Sequence, residues 1–308
     1  MSMRSRSQVP ISTRRIWTMR EITSDLVRGF CPPRDDEGHK GTYGTALVIA
    51  GSRFMTGAQT LCAGAALRSG AGLVRVFSEE DALTATRINL PCALTSAYGE
   101  DPADNMRLAG KLIHKADSVA IGPGLDTEDK RNRDLLEISI SSAARLVIDA
   151  SALTILSKNA FFLEKELSSR REKGLSRAVL TPHIGEFKRL AGKDPEDISA
   201  ECADYSVRTD SVIILKSRKT HVFTPDEECY TLDAGNSGLS KGGSGDVLTG
   251  LIAGFLAQGM DEVKASVSAV KIHSDCGLLA REKYGRRAML PSDLTEFLTK
   301  SYEMAGWT

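Results

Sequence analysis

Short apolar runs alternate with longer stretches of mixed polarity from residue 42 almost to the end of the chain. Most of the apolar runs lead directly into Gly, Pro, Asp or Ser, and they cover residues 45–52, 73–77, 118–125, 145–153, 178–186 and 211–217. Strands that are buried on both faces show such continuous apolar runs. The pattern therefore predicts the α/β class, with a mainly parallel central sheet and helices on either side of it.

The stretches between the apolar runs have the character of helices. Residues 57–72 are rich in alanine and end in glycines, and residues 128–142 and 195–209 are further predicted helices. Residues 221–232 differ, because two short runs flank Pro-Asp-Glu. They indicate a hairpin at an edge of the sheet.

The overall composition is that of an ordinary soluble globular protein. The 308 residues fit one large α/β domain, and 40 basic and 40 acidic residues give a formal net charge of zero. Charge therefore gives no reason to expect a nucleic acid or a membrane as partner, and no apolar run reaches the ~18 residues that span a bilayer. The six cysteines are scattered without a C-x-x-C pair, so we expect reduced thiols and a cytoplasmic protein.

Residues 1–20 differ in composition from the rest of the chain. They contain five arginines and no acidic residue, with serines and threonines between them. This predicts a disordered basic extension in front of a single domain over residues 21–308, and removal of residues 1–18 is expected to leave stability and activity unchanged. Organelle transit peptides have the same composition, so import through this segment is the alternative.

Polar residues and glycines follow the apolar runs, where a parallel sheet would have the carboxyl ends of its strands. They are Gly51-Ser52, Gly122–Gly124, Asp149, His183, Glu186 and Lys216. Ligands of open α/β sheets bind beyond these ends, so we expect these residues to gather on one rim. Taken alone, each has a simpler explanation: Asp149 could cap a helix that begins near Ser151, and His183 could be a hydrogen-bonded loop residue.

The segment SKGGSGDVLTG, residues 240–250, places small residues in front of one carboxylate. The apolar residues in and after it recur at the i, i+3, i+4, i+7 spacing of a buried helical face, and they are Leu248, Leu251, Ile252 and Phe255. A helix is therefore expected to begin near Gly245 or Asp246. The segment is not a Walker A loop, since G-x-x-x-x-G-K-[ST] occurs nowhere in the chain.

A helix that begins in this glycine loop would point free backbone N–H groups and the positive end of its dipole at an anion. We expect Gly243, Ser244 and Gly245 to bind a phosphate there, because glycines let the phosphate approach the backbone. Asp246 is expected to stay ionised at the same helix end and to take a proton from a hydroxyl that receives the phosphoryl group. The alternative is that Asp246 only caps the helix.

Several segments together resemble one enzyme family. KGTYGTALVIAGS, GPGL, VIDASAL, TPHIGEF, the Lys216–Thr220 segment and GNSGLSKGGSGDVLTGLIAG occur in the order found in the ATP/ADP-dependent NAD(P)H-hydrate dehydratases, which belong to the ribokinase-like superfamily. The resemblance covers roughly residues 22–300. It implies a three-layer α/β/α domain that repairs hydrated NADH and NADPH (NADHX and NADPHX) at the expense of ATP or ADP. Mg²⁺ is expected with the nucleotide, without a carboxylate cage of its own.

The resemblance also bears on partners. The epimerase domain found in this family has no counterpart in the sequence, so a separate NAD(P)HX epimerase is an expected companion. We also expect a homo-oligomer. The sequence leaves open whether ATP or ADP is the donor, and whether NADHX or NADPHX is preferred.

Individual roles follow from the resemblance as well. Asp246 corresponds to the catalytic aspartate of the family, and the anion hole corresponds to Gly243, Ser244 and Gly245. The positions that line the hydrated nicotinamide nucleotide correspond to Ala58, Gly124, His183 and Asp246. Those that hold the adenine nucleotide correspond to Lys216, Ser217, Arg218, Lys219, Thr220 and Gly245. His183 is expected on the rim opposite the nucleotide segment.

The sequence departs from the family pattern at three positions. Ile184 and Ser237 stand where the family usually has Pro, and each replaces a stiff turn with a looser one. Ser217 stands where the family usually has Gly and adds a side chain beside the nucleotide. None of the three changes removes a reacting group.

Two other functions remain open. A ribokinase-like kinase of a sugar or vitamin alcohol would use the same aspartate and glycines. A nucleotide-binding protein without catalysis would bind the nucleotide and show no turnover. The TPHIGE and GNSGL segments favour the dehydratase.

Overall fold

The computed structural model describes residues 17–307, and its strands form a single ten-stranded sheet. In chain order the strands are β1 (Thr18–Glu21), β2 (Thr45–Ile49), β3 (Leu73–Glu79), β4 (Leu94–Tyr98), β5 (Ser118–Ile121), β6 (Leu146–Ile148), β7 (Ala178–Leu180), β8 (Val212–Leu215), β9 (Lys219–Phe223) and β10 (Glu228–Asp233). Across the sheet they lie in the order β1-β10-β9-β8-β7-β6-β5-β2-β3-β4. Strands β8, β7, β6, β5, β2, β3 and β4 are parallel to their neighbours in that series, whereas β9 runs antiparallel to β8 and β10. The predicted mainly parallel sheet is confirmed.

Helices connect most of the parallel strands. They are α1 (Ser24–Arg28), α2 (Ala58–Arg68), α3 (Glu80–Asn89), α4 (Pro102–His114), α5 (Lys130–Ser142), α6 (Ser151–Lys158), α7 (Ala160–Ser168), α8 (Ile184–Ala191), α9 (Ile198–Thr209), α10 (Ser244–Ala257), α11 (Glu262–Ala288) and α12 (Leu298–Ala305). Helix α11 is kinked at Gly285. Among the helices of residues 17–307, none combines the length and the apolar character needed to cross a membrane.

The two faces of the sheet carry two separate hydrophobic cores. On β2, Ala46 and Val48 pack into the core that contains α2, α10 and α11. Their neighbours Leu47 and Ile49 point the other way, into the core formed with α5 to α9. Because successive strand residues alternate between faces, this continuous apolar run fills both cores at once. The three-layer α/β/α arrangement predicted from the sequence is confirmed.

Helices α2 and α10 lie in unusually close contact because of small residues. A Cβ added to Gly250 would lie 2.1 Å from the carbonyl oxygen of Cys62, and one added to Gly254 would lie 1.7 Å from Ser69 Oγ. The two helices run in the same direction, so their N-termini reach the same end of the sheet. This packing brings Ala58 and Ser244, the first residues of α2 and α10, to one rim.

The predicted elements agree with the structure except at the borders of the sheet. The hairpin over residues 221–232 is present as β9 and β10, but it does not form an edge, because β1 pairs in parallel with β10. Strand β4 forms the opposite edge and was not predicted. Its sequence, LTSAY, mixes polar with apolar residues because it is only partly buried, so it lacks the apolar run of an inner strand.

The domain begins earlier than residue 21. Residues 18–20, which the sequence assigns to the basic extension, belong to β1. Trp17 packs edge-on against Phe223 with their ring centroids 5.7 Å apart, and Ile22 is buried in the core. Residues 17–20, four in all, therefore belong to the domain and not to the extension. Residues 1–16, which carry the rest of the predicted disordered extension, lie outside the described residues.

The packing of Trp17 changes what truncation should do. A chain that begins at Ile22 should melt at least about 3 °C below one that begins at Trp17, since it loses the aromatic pair and the β1–β10 ladder. Melting followed by circular dichroism would measure the difference. The matched control is Met19→Thr, which changes an exposed side chain of β1 and should leave the melting temperature unchanged. Equal melting of the two truncated chains would show that β1 adds no stability.

Candidate active site

The glycine loop begins α10 as the sequence predicts. Gly243 is the N-cap residue and has a φ of 102°, a conformation that favours glycine, and a Cβ there would also lie 2.6 Å from Leu61 Cδ1. The backbone N–H of Ser244 donates to the carbonyl of Lys241 at 3.3 Å. Within residues 17–307, the N–H groups of Gly245 and Asp246 have no partner. Within the same described residues the N–H of Gly243 has no partner either, so of the three predicted anion-hole amides only that of Ser244 is already engaged.

Lys216 joins two strand ends of the sheet to this loop. Its Nζ donates to Asp149 Oδ1 at 2.8 Å, and Asp149 Oδ2 accepts from Thr249 Oγ1 at 2.7 Å. A Cβ added to Gly245 would lie 3.2 Å from the same Nζ. Asp149 is 1% exposed, so this ion pair holds a buried carboxylate while its ammonium group lies beside Gly245.

Asp149 does not have the capping role that was one expectation for it. The N-cap residue of α6 is Ala150, and the carboxylate of Asp149 turns to Lys216 and Thr249 instead. Ala150 has φ 50° and ψ −120°, a conformation that costs a non-glycine residue about 1–3 kcal/mol. Strain of this kind persists where the surroundings hold the residue, and it is common at functional sites. Here it directs Asp149 towards α10.

His183 and Glu186 form a second pair on the rim. The N–H of His183 donates to Glu186 Oε2 at 2.8 Å, and the N–H of Glu186 donates to His183 Nδ1 at 3.2 Å, which caps α8. Glu186 Oε2 also lies 3.8 Å from Lys216 Nζ. The N–H of Lys216 donates to the carbonyl of Pro182, so His183 is beside the nucleotide segment. The expectation that His183 lies on the opposite rim is wrong.

The carboxyl group of Asp246 is more basic than the sequence suggests. Burial raises the pKa of Asp246 to about 7, and the nearby Asp149 and Glu186 act in the same direction while Lys216 opposes them. The expectation of an ionised carboxylate at the helix end takes no account of burial and of the two other acids, which all oppose ionisation. A carboxylate with a pKa near neutrality is well suited to accept a proton.

Ala58 and Gly124, the other predicted substrate residues, are brought together. Gly124 has a φ of 68°, and a Cβ added to it would lie 2.7 Å from the Cβ of Ala58. One turn further along α2, burial raises the pKa of the Cys62 thiol, and the charges of Asp246 and Asp149 add to the effect. Because α2 and α10 begin at the same end of the sheet, the Ala58–Gly124 contact lies on the same rim as Asp246.

A cavity of about 860 Å³ opens at the glycine loop. The predicted site residues that line it are His183, Lys216, Ser217, Arg218, Thr220, Ser244 and Gly245. Lys219 is exposed at the start of β9 and does not line the cavity. The cavity is thus shared by most of the predicted nucleotide segment and the glycine loop, whereas Ala58 and Gly124 do not line it.

The three departures from the family pattern have local explanations. Ser217 Oγ donates to the carbonyl of Lys219 at 2.6 Å, so its hydroxyl is held by the backbone of the hairpin turn. Ser237 begins a short 3-10 helix that Asn236 caps, and the Asn236 side chain also donates to the carbonyl of Gly277. Ile184 is the first residue of α8 and is partly exposed. Hydrogen bonds thus stiffen the Ser237 turn without proline.

The described residues offer no ready-made metal cage. Within residues 17–307 there is no cluster of three or more His, Cys, Asp and Glu side chains that could hold a metal ion. Both carboxylate oxygens of Asp149, the most buried acid here, are engaged by Lys216 and Thr249. The site fits a Mg²⁺ ion only as Mg²⁺ usually binds in nucleotide enzymes, through phosphate oxygens and water with little help from side chains.

The fold and the glycine loop place the chain in the ribokinase-like class, and comparison with solved structures confirms this class. The sequence model of the NAD(P)H-hydrate dehydratase family matches residues 46–300, and the chain belongs to that family. The resemblance noted from the sequence motifs is thereby confirmed.

Individual relatives agree with this membership. The chain is 34% identical over 285 residues to the ADP-dependent (S)-NAD(P)H-hydrate dehydratase of Bacillus subtilis, covering 91% of this chain and 97% of the relative. It is similar to the crystal structure of the ADP/ATP-dependent NAD(P)H-hydrate dehydratase from Bacillus subtilis co-crystallised with ATP/Mg²⁺, with a TM-score of 0.76, 29% identity, and coverage of 93% of this chain and 98% of that one.

A longer relative is the bifunctional NAD(P)H-hydrate repair enzyme Nnr of Moorella thermoacetica. It is 36% identical over 292 residues, which are 91% of this chain and 53% of the relative. The chain thus spans about half the length of the bifunctional relatives that it matches.

Proposed function

We propose that the protein dehydrates NADHX and NADPHX to NADH and NADPH, with ATP or ADP as the phosphoryl donor, and so acts as a metabolite-repair lyase. The observation that carries the proposal is the position of Asp246. Its carboxyl group, with a pKa of about 7, directly follows Gly245, which lines the same cavity as Lys216, and it begins a helix whose N-terminus shares a rim with the Ala58–Gly124 contact. The names of the relatives, which include an ADP-dependent dehydratase, support this chemistry over that of a sugar kinase.

The first step is phosphoryl transfer to the hydroxyl group of the hydrated nicotinamide ring. Asp246 accepts the hydroxyl proton as the oxygen attacks the terminal phosphorus of the nucleotide. The bond from that phosphorus to the bridging oxygen breaks, and the shortened nucleotide leaves. The unpartnered N–H groups of Gly245 and Asp246, together with the Lys216 ammonium, stabilise the charge on the transferred group. Phosphorylation is needed because hydroxide is a poor leaving group.

The second step expels the phosphate. The lone pair of the ring nitrogen forms a double bond to the ring carbon as the carbon–oxygen bond breaks, and the neighbouring ring carbon then loses a proton. The products are NAD(P)H, inorganic phosphate and the nucleotide shortened by one phosphate. Mg²⁺, with which the Bacillus subtilis enzyme was co-crystallised together with ATP, would neutralise phosphate charge when it is bound with the nucleotide.

Three further features belong to the proposal. A separate epimerase would interconvert the two forms of the hydrate, since the name of the double-length Moorella relative describes a bifunctional repair enzyme. The protein would act in the cytoplasm, an assignment supported by six free cysteines. It would also form a homo-oligomer, which size-exclusion chromatography with light scattering would test.

The proposed reaction predicts equal amounts of three products. Purified protein given NADHX and either ATP or ADP should form NADH, free phosphate and the shortened nucleotide in a 1:1:1 ratio, because the phosphate ester is only transient. The return of the nicotinamide absorbance and a phosphate assay would measure this, with nucleotide left out as the control. If NADHX stays untouched while a sugar or vitamin alcohol accumulates as a stable phosphate ester, the protein is a kinase. Bound nucleotide without turnover would indicate a binding protein.

A further inference from the structure

His273 contacts the glycine loop, although the proposed chemistry gives it no part. It projects from α11 into the same cavity that Lys216 and Gly245 line. Its Nε2 lies 2.9 Å from the carbonyl oxygen of Ser244, in the first turn of α10. The two residues are separated by 29 positions in the chain, so this contact depends on how α11 packs beside α10.

The hydrogen bond fixes which nitrogen of His273 carries the proton. A carbonyl oxygen can only accept, so Nε2 must be the donor. Burial lowers the pKa of His273 to about 4, and the nearby Lys216 lowers it as well, although the bond to Ser244 opposes them. The imidazole is therefore neutral at neutral pH and has one N–H group, which it gives to Ser244.

The carbonyl of Ser244 and the amide of Gly245 belong to the same peptide unit. That unit is planar, and its C=O and N–H point in opposite directions. A donor that holds the carbonyl therefore also sets the direction of the Gly245 N–H, which has no partner within residues 17–307. Donation to the carbonyl also polarises the peptide and makes its N–H a stronger donor.

We propose that His273 is a positioning residue for the anion hole: through the Ser244 carbonyl, it aims the Gly245 N–H at the phosphoryl group that is transferred. The proposal rests on the proposed function of the glycine loop. His273 touches neither substrate in this role, and it acts only through the Ser244–Gly245 peptide.

The kinetic test compares two substitutions that differ in one donor. His273→Leu removes the N–H and should lower kcat by about 10- to 100-fold, less than the loss of a whole anion-hole donor. His273→Gln offers its side-chain amide at a similar reach and should keep kcat within about threefold. The Kd for ADP, measured by calorimetry without the hydrate, should change by less than about threefold in both variants. The direction of the Gly245 N–H matters most in the transition state, when charge builds up on the transferred phosphoryl group.

The matched control is Ile272→Val on the same helix. Ile272 is fully buried and faces the core, so this change should lower the melting temperature without touching the loop. It should leave kcat unchanged even if its melting temperature falls as far as that of His273→Leu. The proposal is overturned if His273→Leu keeps kcat within twofold, if His273→Gln is as slow as His273→Leu, or if Ile272→Val loses activity in proportion to its melting temperature.

A second measurement does not depend on turnover. In protein labelled with ¹⁵N-histidine, the nitrogen shifts of His273 at pH 7 should show a neutral ring protonated at Nε2, and the His273→Gln spectrum would assign the signal. A ring protonated at Nδ1, or a charged ring, would overturn the hydrogen bond and the proposal with it. A wild-type protein that has this tautomer but does not dehydrate NADHX would instead count against the proposed function alone.

Discussion

Asp246→Asn should lower kcat for the dehydration of NADHX by about 10²- to 10⁴-fold, the usual cost of losing a general base. The amide keeps the shape of the side chain but cannot accept the hydroxyl proton. The N–H groups of Gly245 and Lys216 Nζ are left in place, so the Kd for ADP should stay within a few-fold. Steady-state kinetics and calorimetry on the same preparations would test both statements. Activity within tenfold of the wild type would leave Asp246 as a helix cap.

The pH dependence of kcat/KM is an independent test of Asp246 as the general base. Because the pKa of Asp246 is raised to about 7, kcat/KM of the wild type should fall as the pH drops below about 7. The folded protein holds this proton more tightly than the unfolded chain, so the carboxylate costs stability progressively as the pH rises from about 4 through 7. Asp246→Asn should therefore melt no lower than the wild type at pH 8. A lower melting temperature would mean that the substitution damages the fold.

The sequence predicts the fold well where an element carries its own signal. The inner strands are apolar throughout because both of their faces are buried, and α10 shows its helical face in Leu248, Leu251, Ile252 and Phe255. Strand β4, which is only partly buried, and β1, which is exposed, have no such signal, since both carry polar residues among the apolar ones. Their place is set by the neighbouring strands.

In the candidate site, too, the sequence predicts the features that a local motif carries and misses those that depend on distant residues. The glycine loop and Asp246 are adjacent in sequence, and the motif around them is recognisable. The partnership of Lys216 with Asp149 joins residues 67 positions apart, and the bond of His273 to Ser244 depends on a helix that carries no motif. The pKa of Asp246 could not be predicted locally either, because burial and the charges of Asp149 and Glu186 come from other elements. The expectation that Asp246 stays ionised considered only the favourable interaction of a carboxylate with the N-terminus of the helix.

Lys216→Met should have a large effect on both activity and stability. Burial alone would lower the pKa of Lys216, but Asp149 and Glu186 raise it, so the side chain stays charged beside Gly245. Without it, a phosphoryl group at the Gly245 amide would lose the cation beside that residue, and kcat/KM for the nucleotide should fall by at least about 10²-fold. Asp149, 1% exposed, would be left without its counter-ion, which typically costs about 3–5 kcal/mol.

Two companion variants separate these effects. Lys271→Met removes the lysine of another shielded pair, in which Nζ lies 2.6 Å from Asp275 Oδ2, and this pair does not line the cavity. It should lose stability while kcat and the Kd for ADP stay unchanged. The double variant Lys216→Met with Asp149→Asn removes the uncompensated charge, so it should regain much of the melting temperature without regaining activity. If activity returns along with stability, Lys216 serves only to neutralise Asp149, and the charge on the transferred phosphoryl group must be stabilised by the backbone amides alone.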